Sequence, residues 1–168
     1  MDKLLLFDLD ETLIHSSEKK LKQAEDFSFE RFYVYKRPYL PWFLAGISKK
    51  YKIGIWSSAD EFYVESIVQR ILPTDVKLEV MWGNSRCTFN PEAGTNNGIY
   101  EKRPEQLAVL KYKKESIVLI DDNVHNTILH QGNSILIKPF TGDSEDRELK
   151  HLYNFLMAQQ PGSGDWVG

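Results

Sequence analysis

Short apolar runs alternate along this chain with stretches of helical periodicity, and several of the runs stop abruptly at polar or acidic residues. Residues 4–7 are the first: Leu4, Leu5, Leu6 and Phe7 end at Asp8. A run this short and this apolar predicts a strand buried on both faces. Residues 52–56, 77–82, 116–120 and 134–137 repeat the signal. Between them, Leu40, Phe43, Leu44 and Ile47 mark a helix face, opened by Lys36-Arg37-Pro38 with Pro38 near its first turn. Phe62, Ile67, Val68 and Ile71 mark a second, which Pro73 stops. Lys102-Arg103-Pro104 opens a short helix through Leu110, and a helix or turn follows Asn123. Asp143 or Ser144 caps a final helix carrying Leu149, Leu152, Tyr153 and Leu156.

Three stretches break this rhythm. Residues 18–30 are polar, with Phe27 and Phe29 embedded, and predict a mobile flap or loop. Residues 31–36 alternate aromatic and polar side chains and predict a short strand. Residues 83–100 are rich in Asn, Gly, Ser and Thr and contain Asn97-Gly98, a strong hairpin-turn signal. They predict a small β-rich insertion. Strands alternating with helices imply an α/β fold: a Rossmann-like three-layer sandwich with a mainly parallel central sheet. The spans from Asp10 to Ser57 and from Ser58 to Lys102 are too short for a large cap domain. The expected organisation is one domain over residues 1–160 and a flexible tail over 161–168.

Ligands of open parallel sheets bind outside the carboxyl ends of the strands. The polar residues delivered there are Asp8 and Asp10, then Ser57 and Ser58, and late in the chain Asp121 and Asp122, with Lys102 at a helix start. Two acids separated by one residue can converge on one cation, and hard oxygen ligands suit magnesium. The bland alternative is that acids gather at strand ends because loops are solvated. The long apolar runs that deliver Asp8, Asp10 and Asp121 favour the functional reading.

These residues also carry a resemblance. Asp8-Leu9-Asp10-Glu11-Thr12-Leu13 resembles the first motif of the haloacid-dehalogenase-like superfamily of aspartate-nucleophile phosphatases. With Tyr35-Lys36-Arg37-Pro38, it is most similar to the branch that dephosphorylates the C-terminal domain of RNA polymerase II, the small-phosphatase or NLI-interacting-factor-like branch. The resemblance implies that Asp8 is the nucleophile and becomes an aspartyl phosphate. It makes Asp10 the general acid and then the general base, with its backbone carbonyl on the metal. Asp8, Asp10 and Asp121 are then Mg2+ residues, and Asp122 joins them either as a direct ligand or as a support from outside. Ser57 or Ser58, together with Lys102, holds the phosphoryl group, and Thr12 braces the loop. His15, His125 and His130 lack a metal-ligand pattern, and Cys87 reads as structural.

Within the superfamily that the chain resembles, an acid at position 10 implies a phosphatase or related phosphotransferase rather than a dehalogenase or an ion-pumping ATPase. An uncapped site suits a phosphoserine or phosphothreonine on a phosphoprotein or phosphopeptide. A small-metabolite or nucleotide phosphatase is the first alternative. A non-catalytic signalling domain that accepts phosphate on aspartate is a second, disfavoured because its acidic pair lies on the first strand and its acceptor on a middle one. Trp82, just before the insertion, and Arg86 within it are candidates for contacting a peptide.

Bulk properties narrow the setting. With 42% hydrophobic and 27% charged residues the composition is that of an ordinary globular domain. A formal net charge of −3 gives no global field favouring nucleic acid. The one cysteine, Cys87, rules out an internal disulfide and fits a reducing compartment. The first residues lead straight into an acid-terminated strand, unlike a signal peptide, and no apolar run reaches membrane-spanning length. The expectation is a soluble intracellular protein, cytoplasmic or nuclear, with no nucleic-acid or membrane partner.

Overall fold

The computed structural model describes residues 3–93 and 98–159. Its centre is a five-stranded sheet in the order β10-β9-β1-β5-β6, built from β1 (Leu4–Phe7), β5 (Lys52–Trp56), β6 (Leu78–Trp82), β9 (Ile117–Asp121) and β10 (Ser134–Leu136). Every pairing is parallel. The chain moves from β1 outward to β5 and β6, then returns to the opposite flank of β1 through β9. The order therefore reverses beside β1, where a crevice opens at the carboxyl edge of such sheets.

Both faces of the sheet are covered, which explains the unbroken apolar runs. Leu5, Phe7, Ile53, Ile55, Val118 and Ile120 face one side. There they pack beneath α1 (Leu40–Ile47), α2 (Glu61–Ile71) and α4 (Glu148–Ala158). Leu4, Leu6, Trp56, Ile117 and Leu119 face the other side. That face is closed by Leu107, Leu110 and Tyr112, in and beyond a 3-10 segment, Pro104–Val109. The short helix expected after Lys102 thus winds tighter than an α-helix. A three-layer α/β sandwich with a mainly parallel sheet and, among the described residues, no large cap is the observed architecture.

Helix phases differ from the sequence reading in places. In α2, Asp60 caps the first turn by accepting from Tyr63 N at 3.0 Å. This sets Tyr63, Val64, Ile67, Val68 and Ile71 inward and leaves Phe62 65% exposed. In α4, neither Asp143 nor Ser144 is the cap. Asp143 Oδ1 closes a turn onto Glu145 N, and Asp146 Oδ1 accepts from Glu148 N at 3.0 Å. In α1, Pro41 rather than Pro38 occupies the first turn, behind Tyr39 in a left-handed conformation (φ 70°).

The expected flap is a loop over 18–26 that ends in a strand of a small antiparallel sheet. β2 (Ile14–Ser17), β3 (Phe27–Phe29) and β4 (Phe32–Lys36) pair antiparallel in the order β2-β4-β3. Phe29 and Phe32 pack edge-on against Tyr63, with ring centroids at 5.9 and 6.1 Å, and Arg70 lies over Phe27 and Phe29. These aromatic contacts hold the small sheet on α2. Across 83–100, β7 (Thr88–Asn90) pairs antiparallel with β8 (Ile99–Glu101). Gly98 has φ 68°, where a Cβ would meet Asn90 O at 2.7 Å, so glycine is required there. Asn97, Gly94 and the tail expected from Pro161 lie outside the described residues. Between β9 and β10 runs α3 (Val124–Leu129), capped by Asn123. No helix among the described residues is long and apolar enough to cross a membrane.

Candidate active site

Because β1 and β9 are parallel neighbours with Phe7 beside Ile120, the carboxylates that follow meet at one edge. Asp8 N donates to Ile120 O at 2.9 Å, extending that pairing by one residue. Asp8 and Asp121 are both buried, and Lys102 is 1% exposed between them. Its ammonium bonds Asp8 Oδ1 and, at 2.7 Å, Asp121 Oδ2. Lys102 reaches this depth because β8 ends beside it and two bonds fix its backbone. Lys102 N donates to Asn126 Oδ1 at 3.2 Å, and His130 Nε2 lies 2.6 Å from Lys102 O. Asn126 also donates to Asp121 Oδ2 at 3.1 Å, tying α3 to the same carboxylate.

Burial pushes the Asp8 carboxyl up to about 8; the adjacent ammonium opposes the shift, and Asp121 adds to it. Burial also acts against the charge on Lys102, but the two carboxylates outweigh it and hold the ammonium above its ordinary range. Carboxylate oxygens of Asp8, Asp121 and Asp122 lie within 4.8 Å of one another. This all-oxygen donor set fits a hard divalent cation.

The loop after β1 is tightly held. Leu13 N and Ile14 N both donate to Leu9 O, closing a turn over Asp10 and Glu11. Glu11 takes a left-handed conformation, φ 60°, which is costly for a residue with a Cβ. Phe140 N donates to its carbonyl at 2.7 Å, and His15 Nδ1 lies 2.7 Å from its carboxylate. Thr12 Oγ1 donates to Asp122 Oδ1 at 3.2 Å, joining this loop to the end of β9. From beneath, the buried Arg37 donates to Thr12 O at 3.0 Å and to both oxygens of Asp146 at 2.9 Å.

Asp10 stands apart from this cluster. Its Oδ1 accepts from the Tyr63 hydroxyl at 2.6 Å, and its side chain borders a groove of about 460 Å³. Phe29, Phe32, Phe62 and Tyr63 supply most of that groove's apolar wall, with Arg31 at its rim. None of the described residues of 83–100 lines it. Instead Arg86 lies over Trp82, which packs edge-on against Trp56. Ser57 follows Trp56 at the same sheet edge and is 2% exposed, while Ser58 is exposed. Ser57 Oγ accepts from Ala59 N at 3.0 Å, which leaves its own proton free to donate.

Sequence reading singled out Asp8, Asp10, Thr12, Ser57 or Ser58, Lys102, Asp121 and Asp122. The structure gathers Asp8, Lys102, Asp121 and Asp122 and joins Thr12 to them. Tyr63, Asn126 and Glu101 were not foreseen. The phase of α2 set by an Asp60 cap would have turned Tyr63 inward, but nothing local marks Glu101. Its buried carboxylate takes Asn90 Nδ2 and Arg103 Nε at 2.7 Å and lies 2.8 Å from His125 Nε2, anchoring the strand that delivers Lys102. The Asn90 donor, with His125 and Arg103, holds the Glu101 carboxyl down to about 2, against the effect of burial. A folded value below the unfolded ~4.3 stabilises the fold above that pH, and the stability is lost as pH falls toward 2. Glu101→Gln is therefore expected to flatten the acid limb of a urea-unfolding series between about pH 4 and 2. Superimposable limbs for the two proteins would show that the network contributes nothing.

A parallel sheet that reverses its order beside an aspartate-terminated first strand, with a lysine between two aspartates, places the chain in the haloacid-dehalogenase-like class. Within that class it belongs to the NLI interacting factor-like phosphatase family, whose model matches residues 3–165. It is 28% identical over 171 residues to CTD nuclear envelope phosphatase 1B of Danio rerio, covering 93% of this chain and 66% of that one. Phosphatase PSR1 of Saccharomyces cerevisiae is 29% identical over 161 residues, covering 92% of this chain and 35% of that protein. The chain thus spans at most about two thirds of the length of these curated relatives. The structure of Fcp1, an essential RNA polymerase II CTD phosphatase, matches with a TM-score of 0.69 at 15% identity, over 93% of this chain and 61% of that one, a likeness of fold. The resemblance read from residues 8–13 and 35–38 is borne out at the level of the branch.

Proposed function

We propose that the chain is a magnesium-dependent phosphomonoester hydrolase that passes through an aspartyl phosphate on Asp8 and acts on phosphoserine or phosphothreonine in proteins. The observation that carries this reading is the division of labour among the acids. Asp8 and Asp121 share the lysine, while Asp10 is turned away toward the open groove.

In the first step an Asp8 oxygen attacks phosphorus and the bond to the substrate oxygen breaks, with the proton of Asp10 going to that leaving oxygen. In the second step water attacks phosphorus, Asp10 takes its proton, and the Asp8 carboxylate leaves with phosphate released. Lys102 and the Ser57 hydroxyl neutralise and orient the phosphoryl oxygens. Asp8 and Asp121, with the Asp10 carbonyl, would hold Mg2+, and Asp122 would support them through Thr12. When bound, the ion would supply charge neutralisation between two anions that otherwise repel. The aromatic groove beside Asp10, uncovered by any cap, suits the residues flanking a phosphorylated side chain on a protein segment. Relatives named for the nuclear envelope support an intracellular setting, cytoplasmic or nuclear.

The test is a panel of phosphopeptides, sugar phosphates and nucleotides, each assayed with Mg2+ and with excess chelator. Phosphopeptides are expected to have the highest kcat/KM, and chelation to abolish turnover until Mg2+ is restored. Full activity in chelator would sink the metal assignment, and a preference for small metabolites would replace the protein-phosphatase reading.

A further inference from the structure

The Tyr63 phenol sits where two functions meet. It belongs to α2, its ring is wedged against Phe29 and Phe32, and it is 8% exposed. Its oxygen touches both Asp10 Oδ1, at 2.6 Å, and Ser16 Oγ. An ionised carboxylate only accepts hydrogen bonds, so the single phenol proton points to Asp10. With the phenol proton on Asp10, the Ser16–Tyr63 contact takes its proton from Ser16, whose hydroxyl also lies within hydrogen-bonding reach of Asp10. The result is a directed chain, Ser16 to Tyr63 to Asp10, whose geometry is fixed by packing at the ring and by pairing at β2. Burial and the neighbouring carboxylate keep Tyr63 well above the ordinary phenol range, so it stays a donor.

We infer that Tyr63 is the positioning residue for Asp10: it fixes the Asp10 side chain at the groove and directs its transferable proton to Oδ2. This rests on the proposed function, in which Asp10 is the general acid and base. Two physical consequences follow from the contact. With Oδ1 already accepting from the phenol, a proton arriving on Asp10 is directed to the other oxygen. The bond also holds the carboxylate toward the groove and away from Lys102, whose ammonium attracts Asp10 and already bridges Asp8 and Asp121. Without the phenol, rotation of Asp10 toward Lys102 would take it out of reach of the leaving oxygen. Misplacement of this kind reduces proton transfer without removing the nucleophile.

The test is Tyr63→Phe, which keeps the ring contacts with Phe29 and Phe32, assayed with Mg2+ on aryl phosphates of graded leaving-group acidity and on a phosphoserine peptide. Proton donation matters most for poor leaving groups. In kcat/KM, which reports formation of the phosphoenzyme, the variant is expected to lose about 10–100-fold on the peptide and the poorest aryl ester, and under about 3-fold on the best leaving group. On that best substrate kcat and KM should fall together, and intact-mass spectrometry should show phosphoenzyme accumulating, because activation of water is slowed. In an Asp10→Asn background the further loss from Tyr63→Phe should nearly vanish, since the two residues act as one unit. Equal losses across the leaving-group series, or losses that simply add to those of Asp10→Asn, would overturn the positioning role while leaving the phosphatase reading intact. A parent protein inactive on the whole series would remove the proposed function and this inference together.

Discussion

Asp8→Asn is expected to remove nearly all turnover, by more than about 10⁴-fold, because no other carboxylate near Lys102 can take its place as nucleophile. Asp121 is committed to Lys102 and Asn126, and to Asn123 N at 2.8 Å, while Asp10 faces the groove. The same replacement should not lower the melting temperature. Without a bound cation, burial raises the Asp8 carboxyl to about 8 against the pull of Lys102, so the metal-free fold favours its protonated form. For an acid raised above its unfolded value, stability falls as pH climbs from the unfolded to the folded value; a neutral amide avoids that loss, and Lys102 keeps Asp121 as its counter-charge. The variant is therefore expected to melt at or above the parent at pH 7 while losing activity, the exchange common at functional sites. Two measurements decide it. Phosphate trapped on the parent and located by peptide mass spectrometry on any residue other than Asp8 would overturn the assignment. A clear drop in melting temperature on Asp8→Asn would show instead that the Lys102 bridge stabilises the fold.

The second large effect is structural and lies beneath the site. Arg37→Met is expected to cost about 3–5 kcal/mol, because it takes the guanidinium from the buried carboxylate of Asp146, leaving it the Glu148 N–H, and frees the Thr12 and Lys138 carbonyls. At about 2–4 °C per kcal/mol for a domain of this size, melting should fall by about 10 °C. Adding Asp146→Asn should recover part of the loss by neutralising the orphaned charge. Calorimetry of the single and double variants measures both. A change below about 1 kcal/mol, or a double variant worse than the single, would mean that solvent or a rearranged partner satisfies Asp146. Activity should fall with stability, since Arg37 holds the loop between Asp10 and Asp122 through the Thr12 carbonyl.

The central strands, their termination at Asp8, Ser57 and Asp121, and the α/β class were legible from residues in series. Burial on both faces of β1 demands an unbroken apolar run, and the acids after it are local neighbours of that run. The pairing potential of residues 31–36 was legible for the same reason, through alternation along β4. What surrounds the site was not. Tyr63 meets Asp10 across a separation of 53 residues, and Arg37 meets Asp146 across 109. A side chain's partner at such distances is set by how elements dock. Residues 18–30 looked mobile because their polarity is high, yet Phe27 and Phe29 dock on α2 through contacts with Arg70, Phe62 and Tyr63. Asp143 and Ser144 looked like helix caps because cap preference is local, but the turn held by Asp146 and Arg37 starts α4 later. Glu101 reads as one more surface acid until β7, β8 and α3 close around it. The sequence alone determined which groups reach the sheet's carboxyl edge, because strand length and burial are local properties. Packing decided which oxygen each group faces, because that depends on the phase of α2, the docking of the small sheet and the buried Arg37 beneath the loop.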